Sequence, residues 1–253
     1  MKIVITIFLL IINFQIYSQN LSIISEILYE QTVDGFSSTE YKLIFNNEKS
    51  YYEEVISKEY KKGKTRKEDG TIVFNIRDNQ KPNFYYNSRK NGFYFSQVVY
   101  NKHLFAKDNF ELNWTLSEEV KTINDIKCQK ATTKFRGREY IVWFTNKIPV
   151  PFGPWKLNGL SGLILEVYET TGFFRVVAKK VTINSKKNDT IKIPFIDINK
   201  AISMNELKTQ TSKLEKNFIS KLNSKLPKGI KPFKIDENCE DCPKPLEIFD
   251  EKN

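Results

Sequence analysis

Three prolines and three glycines fall within the fourteen residues from Pro149 to Gly162, inside a run that reads WFTNKIPVPFGPWKLNGLSGLILEVYE from Trp143 to Glu169. Each proline fixes φ and removes a backbone donor, and the residue before it is pushed to extended geometry. Glycine permits bends and close backbone approach that other residues resist. Neither a helix nor an unbroken strand survives such punctuation. Residues 140–145 and 163–168 alternate like strands on either side, so the run predicts a shaped crossing loop between two strands. Pro149, Pro151 and Pro154 hold the entry extended, Gly153 permits the bend, and Gly159 and Gly162 allow close approach. Trp155, Leu157, Leu160 and Leu163 are expected to be buried against the sheet, each burial contributing roughly 1.5–3 kcal/mol.

The rest of the chain repeats the strand pattern. Residues 23–33, 40–45, 50–57, 71–76, 83–86, 92–100, 112–117, 127–135, 139–145 and 173–183 carry period-2 or aromatic-rich runs separated by turn residues. The polar stretch 58–70 reads as an exposed connection or long hairpin tip. No helical pattern interrupts the series, which favours an antiparallel meander over any βαβ scheme. The tripeptide Arg136-Gly137-Arg138 reads as a tight hairpin whose arginines form a solvated tip. Ser203-Met204-Asn205-Glu206 is a capping box that opens a helix over 204–226, with Leu207, Leu214, Phe218 and Leu222 on its apolar stripe and Pro227 and Gly229 stopping it. The expected fold is mainly β (α+β): a curved antiparallel sheet of about ten strands with one C-terminal helix packed on it.

Residues 1–18 place Lys2 before an apolar run ending near Ser18, the pattern of a secretory signal peptide, and Asn13 and Gln15 interrupt it too early for a membrane anchor. The expected organisation is therefore a leader over 1–18, one β-rich domain over 19–234, and an acidic tail over 235–253, with a periplasmic, surface or secreted location. Between 200 and 234 nine lysines face Glu206 and Glu215, whereas 235–253 holds seven acids against Lys244 and Lys252. A solvated basic helix followed by an acidic tail that lies against it is the simplest account; peripheral contact with an anionic membrane through the helix is the sharper one. Nucleic acid is not an expected partner, since no helix-turn-helix, zinc-finger or aromatic-platform motif accompanies the charge. Cys239 and Cys242 form a C-x-x-C in the tail, for which a disulfide, either within the pair or back to Cys128, is favoured over redox or metal chemistry. With His103 the sole histidine, a zinc set is incomplete, and no metal or cofactor is expected.

The segment 114–168 resembles the GLPGLI family of exported Bacteroidetes proteins. The resemblance is carried by Trp114-Thr115-Leu116, Cys128 to Thr132, Phe135-Arg136-Gly137-Arg138, Trp143-Phe144-Thr145, Ile148-Pro149, Gly153-Pro154-Trp155-Lys156 and Gly159-Leu160-Ser161-Gly162-Leu163-Ile164-Leu165. Ser161 stands where that family has proline. The resemblance implies a signal-bearing protein without an assigned activity, and a structural motif of Trp143, Pro149, Gly153, Pro154, Trp155, Gly159, Leu160, Gly162 and Leu163.

Catalytic motifs are not evident. Gly159-Leu160-Ser161-Gly162 lacks the second glycine spacing, the following helix and the histidine base of a nucleophile elbow. Glu118 and Glu119 read as exposed, His103 as a surface or satisfied histidine, and no phosphate-binding glycine loop exists. The expectation is a non-catalytic binding or interaction protein whose concave aromatic face takes an apolar ligand or an envelope partner. The alternative is a hydrolase using carboxylates assembled by the fold.

Overall fold

The computed structural model describes residues 24–33, 38–56, 63–66, 72–75, 82–100, 102–183, 192–226, 229, 231–232 and 246–249. The first six strands are β1 (Ser25–Val33), β2 (Thr39–Phe45), β3 (Lys49–Glu54), β4 (Gly63–Arg66), β5 (Ile72–Asn75) and β6 (Phe84–Ser88). They are followed by β7 (Gly92–Val99), β8 (Lys102–Asp108), β9 (Thr115–Ile123), β10 (Ile126–Phe135), β11 (Arg138–Thr145), β12 (Leu163–Glu169) and β13 (Phe174–Thr182). Eleven of these form one open antiparallel sheet in the order β8-β7-β6-β3-β2-β1-β13-β12-β11-β10-β9. The protein is mainly β, with one C-terminal α-helix, α1 (Met204–Asn223), among the described residues.

The topology is two meanders sharing a centre. From β1 the chain steps outward to β8 at one edge, crosses to β9 at the other, and steps back until β13 pairs with β1. That crossing dictates the shape. Residues 109–114 must carry the chain between the edges, and seven Cα–Cα steps reach at most about 24 Å. Eleven strands laid flat at roughly 4.8 Å spacing would span about 48 Å. The sheet therefore curls until its edges approach, and residues on its inner side become the core.

Phe110 ties the mouth of this curl. Its ring lies 5.2 Å from Phe93 of β7 and 4.9 Å from Phe135 of β10, measured between centroids, so one side chain links the two halves. Asn113 accepts from Thr133 Oγ1 at 2.8 Å, and Trp114 Nε1 donates to the Asn158 carbonyl at 2.9 Å. The interior holds Tyr29, Tyr52, Tyr140, Phe144, Phe152 and Phe174, all below 2 % exposed. The concave aromatic face expected to receive an apolar ligand is thus occupied by the protein's own core.

The Pro/Gly-rich loop fills what remains of that interior. Phe152, Gly153, Pro154, Trp155, Lys156 and Leu157 are consecutive buried residues. Trp155 packs against Phe135, Tyr140 and Phe174 at 5.7, 5.7 and 5.4 Å. The loop satisfies its own backbone: Leu157 N donates to Pro154 O, Gly159 N to Pro151 O, Leu163 N to Ile148 O and Ile164 N to Phe152 O. Gly162 is pressed against β11, where a Cβ would come within 2.2 Å of the Thr145 carbonyl oxygen.

Four departures from the sequence expectations have local causes. Part of the polar stretch 58–70 is not a bare connection, because β4 pairs with β5 in a separate two-stranded sheet. The run at 71–76 joins that sheet and not the main one. Strand β9 continues to Ile123, beyond the expected 117; as an edge strand exposed on both faces it carries no alternation, and Glu118 and Glu119 lie within it. Helix α1 ends at Asn223 because residues 224–226 tighten into i→i+3 bonds, Lys225 N to Leu222 O and Leu226 N to Asn223 O. At its start Ser203 Oγ accepts from Glu206 N at 3.2 Å. Leu207 anchors it against Phe93, Phe95, Leu104 and Ala106, and Phe218 stacks on Tyr100 at 4.7 Å.

The fit at Gly162 predicts that Gly162→Ala destabilises the protein by about 3 kcal/mol, the upper part of the range for overpacking, because the atom it meets is backbone. A urea midpoint equal to wild type would show that the loop is not wedged against β11.

Candidate functional site

The β8–β9 crossing and the buried loop meet at a set of charges. Lys156 Nζ, on a side chain 1 % exposed, donates to Asp108 Oδ2 at 2.7 Å and to both carboxylate oxygens of Glu247 at 2.9 and 2.8 Å. Arg136 donates through Nη2 to Asp108 Oδ1 at 2.8 Å and lies 3.7 Å from Glu247 through Nε. Beneath the ammonium, the Phe95 ring centroid is 4.1 Å away. Two cations and two anions so balance one another, with Lys156 and Asp108 fully buried and Arg136 and Glu247 partly exposed. The positions follow from the local chain: Asp108 ends β8, Arg136 takes φ +49° and Gly137 φ +71° in the β10–β11 turn, and Lys156 follows Trp155, itself at φ +53°.

Two clefts open on either side of Asp108, Asn109 and Phe110. One, of about 660 Å³, is lined by Lys107, Arg136, Ser203, Asn205, Lys208 and Phe249 among others. The other, of about 620 Å³, includes Asn87, Arg89, Phe93, Glu111, Phe152 and Asn158. Both linings mix amides, charged groups and phenyl rings, a set of donors and acceptors suited to a hydroxyl-rich ligand.

The outward face of β9–β13 carries a second charged cluster. Glu166 accepts from Lys121 and from the Tyr168 hydroxyl, and Lys121 Nζ lies 4.4 Å from the Trp143 ring centroid. Burial raises the Tyr168 hydroxyl above its ordinary range, with the Glu166 hydrogen bond adding to the rise.

The motif residues do not act alike. Gly153, Pro154, Trp155, Leu160, Gly162 and Leu163 are buried in or beside the loop, Pro149 and Gly159 are exposed, and Trp143 points outward from the sheet. Cys239 and Cys242 lie outside the described residues. Cys128 is buried at 1 %, donates weakly to the Ile126 carbonyl at 3.4 Å, and forms no disulfide among the described residues. Burial pushes its thiol up to about 11. His103 and Glu118 are exposed on strands; Glu119 pairs with Lys130 at 2.6 Å, whose hydrogen bond holds its carboxyl below the usual range. No cluster of metal-ligating residues occurs among the described ones.

The arginines of the hairpin are not a solvated tip. Arg136 engages Asp108 and Glu247, and Arg138 lies 3.5 Å from Glu169 with both side chains buried. Sequence reasoning missed Lys156 as well. The one available signal was a lysine set inside an otherwise apolar, glycine- and proline-bound loop.

A family model described as "N-glycanase peptide, N-terminal domain" matches residues 29–208, which include Asp108, Arg136 and Lys156. The chain belongs to this family. The match overturns the expected GLPGLI membership, and no finding supports its Bacteroidetes label. The blocks that suggested it are largely the parts of the buried loop and its flanking strands, which the packing itself demands. No finding supports the leader over 1–18, which lies outside the described residues.

Two crystal structures of PNGF-II, in P21 and C2 space groups, resemble this chain with TM-scores of 0.50 and identities of 19% and 20%. Each match covers 76% of this chain and 33% of that one, so the chain spans about a third of PNGF-II. At this identity the likeness is one of fold. An uncharacterised conserved protein from Thermus thermophilus aligns at TM-score 0.39 and 8% identity over 74% of this chain and 93% of that one, too slight to carry weight. No curated protein matches the sequence significantly.

Two outcomes test the site's electrostatics. Asp108→Ala strands a buried ammonium with one fewer counter-ion and should cost about 3–5 kcal/mol of stability in urea unfolding, whereas exposed Glu119→Ala should leave the midpoint in place. Cys128, about one part in a thousand thiolate at pH 8, should resist alkylation at that pH until denaturant is added, as read by peptide mass mapping; prompt labelling of the folded protein would contradict its burial.

Proposed function

We propose that this domain serves an N-glycan hydrolase as its glycan-holding part, gripping the sugar in the two clefts beside Asp108, Asn109 and Phe110 while a separate catalytic domain carries out hydrolysis. The observation that carries this reading is the pairing of two open clefts, each lined by both polar and apolar groups, across one short segment. A sugar presents hydroxyls around its rim and C–H groups on its faces, so it needs amides, carboxylates and guanidinium groups beside flat apolar rings. Asn87, Arg89, Asn109, Glu111 and Asn158 supply the first, and half-buried Phe110 the second. Family membership supports the substrate class.

The fold does bring two carboxylates together, as a hydrolase acting alone would require, but Asp108 and Glu247 both accept from Lys156 and lie beside Arg136. Held this way, each serves as a counter-ion to Lys156 and Arg136. Holding the glycan is therefore the better use of this geometry.

Titration calorimetry of the full chain should find an N-glycosylated peptide binding at least ten-fold more tightly than the same peptide without its glycan. Asn109→Ala, at an exposed position, should weaken that binding about ten-fold, roughly 1.4 kcal/mol, at unchanged melting temperature. Mass spectrometry of the mixture should recover the glycopeptide intact. Equal affinity for the two peptides would refute glycan holding, and released glycan would refute the division of labour.

A further inference from the structure

Residues 246–249 lie on the domain in the manner of a bound peptide. Ile248 N donates to the Arg136 carbonyl at 2.9 Å, across the top of the β10–β11 turn. Glu247 inserts its carboxylate between Lys156 and Arg136. The Ile248 side chain sits over Gly137, where an added Cβ would approach it to 2.8 Å. Phe249 lies between two cations, 4.3 Å from the Arg136 guanidinium and 4.6 Å from Lys208 Nζ, measured to its ring centroid. Three successive side chains are thus read by three separate elements: the loop before β12, the β10–β11 turn and helix α1.

Charge makes the first of these contacts demanding. Without Glu247, Lys156, Arg136 and Asp108 leave one positive charge in excess, at a lysine whose side chain is 1 % exposed when residues 246–249 are in place. A carboxylate has to be supplied from elsewhere in the chain or from another one. The remaining contacts are an aliphatic side chain on a bare glycine and a ring between cations, which specify shape and order without covalent connection to the domain.

We propose that this groove is a peptide-recognition site for an acidic–aromatic segment of the type Glu-x-Phe, filled in cis by the chain's own residues 246–249 and open in trans to a partner segment of the same chemistry. A tethered ligand competes at an effective concentration in the millimolar range, so a partner gains access when the resident segment is weakened or outcompeted. Because Ile248 and Phe249 also wall the 660 Å³ cleft, exchange alters that cleft too.

The test uses the full chain, isotopically labelled, with the Gly137 amide as the NMR reporter, and a synthetic peptide covering residues 244–253 beside a scrambled control. Phe249→Ala loosens the resident segment without touching the buried charges, and Glu247→Gln removes the carboxylate while keeping its shape. Both variants should bind the native peptide at least ten-fold more tightly than wild type does, with the Gly137 amide shifting and the scrambled peptide silent. The same weak response in wild type and variants, an equal shift with the scrambled peptide, or no Gly137 shift in Phe249→Ala would overturn the proposal. Should Glu247→Gln fail to fold, Phe249→Ala decides the matter alone.

Discussion

The structure depends on a length mismatch: six residues between β8 and β9 must join the two edges of an eleven-stranded sheet. A flat sheet would be about twice as wide as that segment can reach, so the strands coil around a common interior. Curvature creates a concavity, and a concavity lined by Tyr, Phe and Ile must be filled with something apolar. The loop between β11 and β12 does this with Phe152, Trp155 and Leu157. Filling the interior with that loop carries Lys156 inside as well, and Lys156 then requires Asp108, which stands where the crossing begins. Geometry at the edge and charge in the middle are in this way one problem with one solution.

Much of this architecture is legible in the sequence because strands and turns are local. Alternation marks nearly every strand of the main sheet, and the Pro/Gly concentration marks the one loop that could not be regular. Trp143 even announces its outward orientation, since it alternates with buried Val142 and Phe144. The charge network was not legible for the opposite reason. Arg136 meets Asp108, and Lys156 meets Glu247, across long stretches of chain that no periodicity connects. Propensity rules also place lysine and arginine in solvent, which is why the Arg136-Gly137-Arg138 hairpin reads as a wet tip until Asp108, Glu169 and Glu247 are placed beside it. The glycines, prolines and aromatics of the loop that resemble the GLPGLI blocks serve a packing requirement in this fold, and the family model that matches is another one.

The two sides of the sheet divide the work. The inner side is a dry core in which aromatic rings meet at 4.8 to 6.4 Å and Tyr29 donates to the Ile164 carbonyl at 2.6 Å. What faces solvent near the mouth is polar, and it is polar because the crossing segment has no partner strand: Asn109, Glu111 and Asn113 are exposed beside the clefts that the curl leaves open. The place where the fold is least regular is therefore where polar groups and open clefts come together.

The pairing at the centre of the sheet has a further implication for how the molecule comes into being. Tyr29, in the first strand, lies opposite Ala178, in the last, so the central ladder waits for almost the whole domain to be synthesised. Each meander can form on its own from neighbours in sequence, but their junction is a contact of very high sequence separation, and such contacts set slow folding rates. Until the last strand arrives, the inner edge of β1 is an unpaired template. A chaperone that covers nascent strands would matter most here at β1, during the interval between its emergence and the completion of β13.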